Sequence, residues 1–250
     1  MYLEQIKNNR DYYVVKNNDL IQKSRYSLGT QEQKIILYLI SKIQPDDDKL
    51  KLYEFKITEF CEVCGIEKDS GQNYASLRNA IQNLSDKSMW VTINDHGRQT
   101  LVRWIEKPYI DPHSGTIEIK LDEDLKPYLL QLKENFTQYS YLYILAMRSK
   151  YSIRLFEILR SYMNLRKWTV DLDDLRVRLS AESYSRNFDF VRKVIDTALV
   201  EINKYSDITV TPKYIKKGRK VNQIEFTIKQ KTDLMDRLKT WVDIEEEIDD

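Results

Sequence analysis

The stretch that decides the fold is "NFDFVRKVIDTALVEINKYSDITVTPKYIKKGRKVNQIEF", Asn187–Phe226. Its first part has the three- and four-residue apolar spacing of an amphipathic helix, with one stripe made of Phe188, Val191, Ile195 and Ala198. Its second part alternates apolar and polar residues on both sides of a basic tip, as a β-hairpin does. A helix followed by a hairpin is the closing half of a winged helix-turn-helix.

The same order of elements occurs twice along the 250 residues. "QEQKIILYLISKI" and "YSIRLFEILRSYM" each predict a first helix, with apolar stripes of Ile36, Leu39, Ile40 and Ile43 and of Leu155, Ile158, Leu159 and Tyr162. "YEFKITEFCEVCGI" and "WTVDLDDLRVRLS" each predict a strand and a second helix, capped by Thr58 and Asp173. "NYASLRNAIQNL" and "NFDFVRKVIDTAL" predict third helices that begin at the N-caps Asn73 and Asn187.

A hairpin closes each half, with turns in the first at Asp95–Gly97 and Asp111–Gly115. The sequence therefore predicts an α+β fold of two tandem winged helix-turn-helix domains related by pseudo-symmetry. The expected boundaries are 12–125 for the first domain, 126–148 for an apolar helical connection that packs the domains together, 149–232 for the second domain and 233–250 for an acidic tail.

Charge is distributed unevenly along a chain whose net charge is only +1. Residues 149–232 hold 18 Lys and Arg against 10 Asp and Glu, a net of +8, whereas residues 233–250 hold 2 against 8, a net of −6. Residues 1–148 are close to neutral, with 20 against 21. A basic domain beside an acidic tail favours a polyanionic partner.

Several functional classes lack their signatures. There is no apolar run of the roughly 18 to 20 residues that a membrane span needs and no signal-peptide pattern, so we expect a cytoplasmic protein. There is no GxxxxGK[ST] segment for a nucleotide phosphate, and the two histidines do not form an HxH metal site. The 17 tyrosines are not accompanied by the clustered Arg and His of a tyrosine recombinase. We expect no catalytic activity and no cofactor.

The polar faces of the two third helices carry candidate base readers. In the first half these are Arg78, Asn79 and Gln82, and in the second Asp189, Arg192, Lys193 and Asp196. Arg binds guanine O6 and N7, Asn and Gln bind adenine N6 and N7, and Asp accepts from cytosine N4. The alternative is that any amphipathic helix has a polar face, but the same pattern occurs at matching places in both halves.

The tip "YIKKGRKV" concentrates cations around one glycine. We expect Lys213, Lys216, Lys217, Arg219 and Lys220 to lie along a phosphate backbone or reach a minor groove. The alternative is a turn that lysines merely keep solvated.

Two further segments have alternative interpretations. Cys61 and Cys64 could join His96 and His113 in a zinc site, but the spacing fits no zinc finger and packing in a helix core is the favoured interpretation. The tail "LMDRLKTWVDIEEEIDD" predicts a packed helix, which starts with an amphipathic turn or two carrying Leu234, Leu238, Trp241 and Val242 and has a solvated, frayed acidic end. The alternative is a partner-binding or charge-competing tail.

The chain resembles the theta-type replication initiators, the Rep proteins of iteron-containing plasmids. The opening "YVVKNNDLIQKSRYSLGTQEQKIILYLISKI", the block "FTQYSYLYILAMRSKYSIRLFEILRSY" and the segment "FDFVRKVIDTALVEINKYSDITVTPKYIKKGRKVNQIEFTI" are similar to that family over roughly residues 12 to 230. The resemblance implies that bound monomers at direct repeats help open an AT-rich origin and bring in the host initiator and replicative helicase. It implies that a homodimer formed through the first domain represses the protein's own gene, in equilibrium with the monomer.

The resemblance also assigns residues. It implies base or phosphate contacts for Arg186 and Asn187 beside Arg192 and Lys193, and a backbone-crossing helix with Ser149, Lys150, Ser152 and Arg154. In that family the second domain carries the main sequence readout, and the resemblance implies the same for this chain. The chain departs from the family in its slightly acidic first half, whose wing has no basic tip.

Three functions remain open at the level of sequence. The leading prediction is a replication initiator that binds double-stranded DNA, with one protomer covering about 20 base pairs. The second is a winged-helix repressor without an origin-opening role. The third is a protein-interaction scaffold, against which the basic tip argues.

Overall fold

The computed structural model describes residues 12–64, 72–92, 98–218, 220–232 and 234–249. The chain divides into two compact units. The first contains the chain up to Ser24 and Leu28–Leu145, and the second contains Arg25–Ser27 and the chain from Ala146 onward. Each has the order helix, strand, helix, helix, hairpin, which confirms the predicted α+β class. None of the helices in the described ranges is long and apolar enough to cross a bilayer.

The first unit is built from short strands around one buried helix. Its elements are β1 (Tyr13–Asn17), α1 (Asn18–Lys23), α2 (Thr30–Ser41), β2 (Tyr53–Lys56), α3 (Ile57–Val63), α4 (Gln72–Ser85), β3 (Ser88–Thr92), β4 (Gln99–Arg103), β5 (Tyr109–Asp111), β6 (Thr116–Ile119), a 3₁₀ turn (Glu123–Leu125), α5 (Lys126–Leu129), β7 (Phe136–Ser140) and α6 (Tyr141–Ala146). All pairings are antiparallel: β1 with β7, β3 with β4, and β6 between β2 and β5.

Helix α2 is the centre of this unit. The backbone N–H of its N-cap Gly29 donates to Glu32 Oε2 at 2.7 Å, which satisfies one of the donors that a helix N-terminus exposes. Every residue from Glu32 to Ser41 is buried. The Tyr141 hydroxyl lies within hydrogen-bond distance of the Lys34 carbonyl, 3.1 Å away. The helix ends at Ser41, so Ile43, which the sequence analysis placed on the apolar stripe of this helix, lies outside the helix.

The second unit places a helical layer against a three-stranded sheet. Its elements are α7 (Lys150–Ser161), a 3₁₀ turn (Met163–Leu165), β8 (Lys167–Asp171), α8 (Leu172–Arg178), α9 (Asn187–Phe190), a π-helical turn (Val191–Asp196), α10 (Thr197–Tyr205), β9 (Ile208–Lys217), β10 (Lys220–Gln230) and α11 (Leu234–Asp249). The sheet order is β8-β10-β9, all antiparallel. Ile224, Phe226 and Ile228 alternate inward along β10 and are fully buried, as the period of two requires.

The stretch 126–148 is not the continuous helix that the sequence analysis expected. Its middle forms β7, which pairs with β1 from Tyr13↔Ser140 to Asn17↔Phe136, and the first unit therefore extends to Leu145. Thr137 and Tyr139 are buried while Phe136 and Gln138 are exposed, which is strand periodicity. The partner strand lies more than a hundred residues away, so the local pattern did not reveal it.

The tail is more ordered than the sequence predicted. Instead of having a frayed acidic end, α11 runs through the acidic segment to Asp249. Thr240 and Ile244 are buried, and Glu247 accepts from the Tyr205 hydroxyl at 2.5 Å and pairs with Arg148. The acidic segment is therefore part of a helix that packs within the second unit, and Glu247 makes specific contacts there.

Four predicted helix caps differ in the structure. The N-caps of α3 and α8 are Lys56 and Asp171, and neither Thr58 nor Asp173 caps the helix; the Asp173 carboxylate instead pairs with Arg176. The N-cap of α9 is Arg186, so Asn187 is the first helical residue. Asn73 follows the first residue of α4.

Candidate nucleic-acid interface

The third helix of the second unit consists of α9, the π-helical turn and α10 (residues 187–205) and is called the recognition helix below. Its π-helical turn changes which residues face inward. Phe190, Val194, Ile195 and Ala198 are buried. Phe188, which the sequence placed on the buried stripe, is 71% exposed. A π turn holds an extra residue per turn and rotates the helix face beyond it. Residues 188, 191, 195 and 198 have helical spacing, and so do residues 190, 194 and 198. Apolar periodicity alone therefore could not show which of the two sets is buried.

The outer face of this helix carries the predicted cations. Arg192 and Lys193 are exposed, and the Arg186 side chain is 81% exposed. Asp189 lies between two of them: its Oδ2 is 2.6 Å from Arg186 Nε and its Oδ1 is 3.3 Å from Lys193 Nζ. These two cations, Lys193 foremost, hold the pKa of Asp189 below its usual value. Both carboxylate oxygens therefore have partners on the same helix.

Asn187 joins the start of the recognition helix to the wing. Its Nδ2 donates to the Val221 carbonyl of β10 at 2.8 Å, and its Oδ1 accepts from Arg176 Nη2 at 2.7 Å. The Arg176 guanidinium also lies over the Phe190 ring, 4.9 Å from its centroid. Both ends of the amide on which the resemblance placed a base or phosphate contact are therefore hydrogen-bonded inside the unit.

A second bond joins the other strand of the wing to the same helix. The Tyr214 hydroxyl on β9 donates to Asp196 Oδ1 at the end of the π turn. Partial burial, together with this bond to a carboxylate, raises the pKa of Tyr214 above its ordinary value. Asp196 is exposed, but this bond occupies one of its oxygens, which leaves less of the carboxylate for the predicted base contact.

The wing itself presents its cations to solvent. Lys213, Lys216, Lys217 and Lys220 are all exposed, and Lys217 pairs with Lys220 across the turn. Gly218 has a φ of +65°, a left-handed conformation that glycine adopts without steric cost, and this allows the tight reversal. Arg219 lies outside the described residues. The positive charges of the facing lysines repel each other, and a polyanion that approaches them relieves this repulsion.

The helix that was expected to cross the DNA backbone is mostly inaccessible. Ser152 is 0% and Arg154 3% exposed, so neither side chain is accessible in this structure for the DNA contact that the resemblance implied. Arg154 Nη1 donates to the Tyr26 hydroxyl at 3.0 Å, and that hydroxyl lies 3.4 Å from Glu157 Oε2. These buried polar groups form a network within the second unit, and their contacts offset the cost of removing them from water.

At the start of α7, the two remaining candidates are only partly exposed. Ser149 is the N-cap, and its hydroxyl accepts from the Tyr151 N–H at 3.2 Å. Its own N–H donates to Glu201 Oε2, also at 3.2 Å. Lys150 Nζ lies 4.9 Å from the centroid of the Tyr151 ring.

The first unit presents its predicted readers on the outer face of α4. Arg78, Asn79 and Gln82 are exposed, while Leu77, Ile81 and Leu84 are buried on the opposite face. The buried residues follow the three- and four-residue apolar spacing of "NYASLRNAIQNL". The turn Asp95–Gly97 of its wing lies outside the described residues.

The two cysteines pack in the core of the first unit. Cys61 and Cys64 are buried, and burial raises the pKa of both thiols. His113 is exposed in the turn after β5, and His96 lies outside the described residues. Within the described ranges, no group of three or more His, Cys, Asp or Glu is arranged to hold a metal ion.

Sequence reasoning missed two residues of this surface. Phe188 was assigned to the core because a π turn leaves no trace in regular periodicity. Tyr214 was treated as part of an alternating strand, although its hydroxyl is the bond between wing and helix. The proximity of Tyr214 to an acidic helix residue depends on tertiary structure, so no local signal could have found it.

Comparison with known families covers nearly the whole chain. A family model described as "Initiator Replication protein, WH1" matches residues 13–160, and one described as "Initiator Rep protein, WH2" matches residues 171–228. The chain belongs to this replication-initiator family. The two matches correspond to the two winged-helix units and make the protein a DNA-binding member of a family of replication initiators.

Individual relatives are distant. A "Replication initiation protein" of Escherichia coli is 24% identical over 229 residues, which cover 86% of this chain and 69% of the relative. An "Uncharacterized 27.6 kDa protein" of Escherichia coli is 21% identical over 204 residues, 76% of this chain and 84% of the relative. A crystal structure of selenomethionine derivatives of domain 2 and domain 3 of RctB has a TM-score of 0.45 and 15% identity, covering 84% of this chain and 86% of that chain.

Proposed function

We propose that this protein starts replication of a plasmid by binding repeated double-stranded DNA sites, the iterons, at the origin. The observation that carries the proposal is the joined helix and wing of the second unit. Asn187 and Tyr214 tie the recognition helix to β10 and β9, and the resulting surface displays exposed Arg and Lys side chains on both elements. A helix in the major groove with a basic wing on the adjacent backbone fits this surface.

The later steps of initiation are part of the same proposal, and membership of a replication-initiator family supports them. Bound monomers help open the adjacent duplex and recruit the host initiator and replicative helicase. The protein acts in the bacterial cytoplasm, associated with its plasmid or the nucleoid. Binding and duplex opening draw on contact energy alone, so the proposal needs no catalytic residue and no cofactor.

A homodimer that represses the protein's own gene forms through the first unit. Two apolar side chains on its β3–β4 hairpin support this. Trp90 and Leu101 face each other across the antiparallel pair, with 57% and 51% of their surfaces exposed. An exposed cross-strand apolar pair on a two-stranded sheet is a suitable surface for a second copy.

The test is whether the gene confers replication. The gene and its flanking DNA are cloned on a fragment without another origin, with a matched clone that carries Arg192→Ala and Lys193→Ala. Autonomous replication of the first clone and its loss in the second support an initiator. Failure to replicate, combined with repression of a reporter placed behind the gene's own promoter, identifies the winged-helix repressor instead.

A further inference from the structure

The structure leaves one large apolar side chain in the middle of a charged surface. Phe188 lies in the first turn of the recognition helix with 71% of its surface exposed, and it is flanked by the exposed cations Arg186 and Arg192. Exposing a phenyl ring to water costs the transfer free energy that burial would recover. The ring has no core to enter, because the π turn gives the buried positions to Phe190 and Val194.

The surroundings of Phe188 restrict what can cover it. Arg186 and Lys193 both pair with Asp189, the residue that follows Phe188 in the helix, and the exposed side chains between residues 186 and 193 are net positive. Such a surface attracts a polyanion and repels a basic protein. A partner that presents phosphates at its edges and an apolar group at its centre matches this arrangement.

The major groove of DNA is such a partner. Thymine places a C5-methyl group in the groove, and apolar side chains, including Phe, contact it. Cytosine has a hydrogen in the same place. A ring on the recognition helix would therefore distinguish thymine from cytosine without any hydrogen bond.

We infer that Phe188 is a specificity-determining residue that recognises a thymine methyl group in the DNA site. This inference rests on the proposed function and deepens it, because it assigns one base of the site to one side chain. Asn187, next to it, is bonded to the Val221 carbonyl. That bond fixes the helix start, and with it the ring, relative to the wing on the phosphate backbone.

The experiment uses the full-length chain and a duplex selected from random sequences. Each thymine of the selected site is replaced in turn by deoxyuridine, which removes only the methyl group. For the wild type, we expect a loss of about fourfold in affinity at one or two positions, the value for one buried methyl group. Phe188→Ala is expected to bind the thymine duplex more weakly and to show no further loss with deoxyuridine at those positions. Phe188→Leu keeps an apolar contact and is expected to retain part of the sensitivity.

A matched control is Leu165→Ala. Leu165 is 70% exposed in the 3₁₀ turn before β8, outside the helix and the wing, and its removal is expected to leave the deoxyuridine profile unchanged. Because Phe188 is exposed, its variants should keep the thermal unfolding midpoint of the wild type.

Two results would overturn the inference while leaving the function standing. One is a wild-type profile in which no thymine methyl matters. The other is a Phe188→Ala protein with unchanged DNA affinity or with the same deoxyuridine sensitivity. Either outcome would mean that the Phe188 ring contacts a partner other than a thymine methyl group. If selection recovers no preferred duplex at all, the proposed function fails, and the inference fails with it.

Discussion

The side-chain amide of Asn187 donates a 2.8 Å hydrogen bond to the main-chain carbonyl of Val221, one residue beyond the wing cation Lys220. This single bond connects the first residue of the recognition helix to the strand that returns from the wing tip. A DNA-binding surface made of two elements needs such a connection, because affinity falls when either element must be ordered on binding.

Asn187→Ala tests this connection. The substitution leaves the Val221 carbonyl and the Arg176 guanidinium without this partner, so we expect a loss of about 1–2 kcal/mol in the free energy of unfolding. DNA affinity should fall while the salt dependence stays unchanged, because no charge is removed. Urea unfolding and a binding titration measure the two effects. Asn222→Ala is the matched control, since its exposed amide lies 3.4 Å from Asp171; an equal effect there would contradict the account.

Tyr214→Phe tests the second connection through its pH dependence. Partial burial and the bond to Asp196 raise the pKa of Tyr214 in the folded state above its unfolded value near 10. The stabilising contribution of the phenol is therefore complete below about pH 10 and is lost as the pH rises through the folded-state pKa. We expect the wild type to exceed Tyr214→Phe in the free energy of unfolding at pH 7 and the difference to shrink above pH 10. A difference that stays constant to pH 11 would refute the bond.

The wing lysines should act on phosphates independently of sequence. Replacing Lys217 and Lys220 by Ala is expected to weaken binding to all duplexes alike and to reduce the log–log salt slope by about 2, since each phosphate contact contributes about 0.9. The matched control is Lys167→Ala with Lys229→Ala, two exposed lysines at the base of the same sheet. Equal changes in the two double variants would show that only net charge matters.

Asp189→Asn should strengthen non-specific binding. The carboxylate pairs with Arg186 and Lys193, and it places a negative charge on the proposed DNA-binding surface. Removing that charge frees both cations for phosphates, so we expect tighter binding to random duplexes and a salt slope steeper by about 1. Discrimination for the selected site should decrease because the cations lose their fixed positions. Weaker non-specific binding would contradict the positioning role and favour a direct contact between Asp189 and a base.

Arg154→Ala should destabilise the fold without a specific effect on DNA. Arg154 is buried and donates to Tyr26, whose hydroxyl also lies near Glu157. Removing one charged member of a buried network costs about 3–5 kcal/mol in the free energy of unfolding. The salt slope of the protein that remains folded should equal that of the wild type, and a slope reduced by about 1 would instead indicate a phosphate contact.

Sequence patterns predicted the architecture because both halves repeat the same helical and strand periodicities. The buried faces of α4 and β10 and the exposed lysines of the wing follow directly from local spacing. The failures arose where tertiary structure overrides that spacing. The π turn exposed Phe188, a distant strand recruited residues 136–140 into a sheet, and Tyr26 covered Arg154.

The resemblance to a family assigned DNA contacts to residues whose side chains are hydrogen-bonded or buried in the structure. It grouped Asn187, Ser152 and Arg154 with the DNA-contacting residues because they lie next to matching motifs. Their side chains are used inside the second unit, in a hydrogen bond to the wing and in the core. A motif records residues needed for the fold as well as residues needed for binding, and burial separates the two.

The most direct test of the central claim is a salt titration of the full-length protein on a duplex selected from random sequences. The account predicts a site of about 20 base pairs if both units engage successive grooves. It also predicts a log–log salt slope of about −5 to −9, from about six to ten phosphate contacts. Arg192→Ala with Lys193→Ala should abolish the preference for the selected duplex over random DNA. A slope shallower than about −2, with no preference for any duplex, would contradict the account.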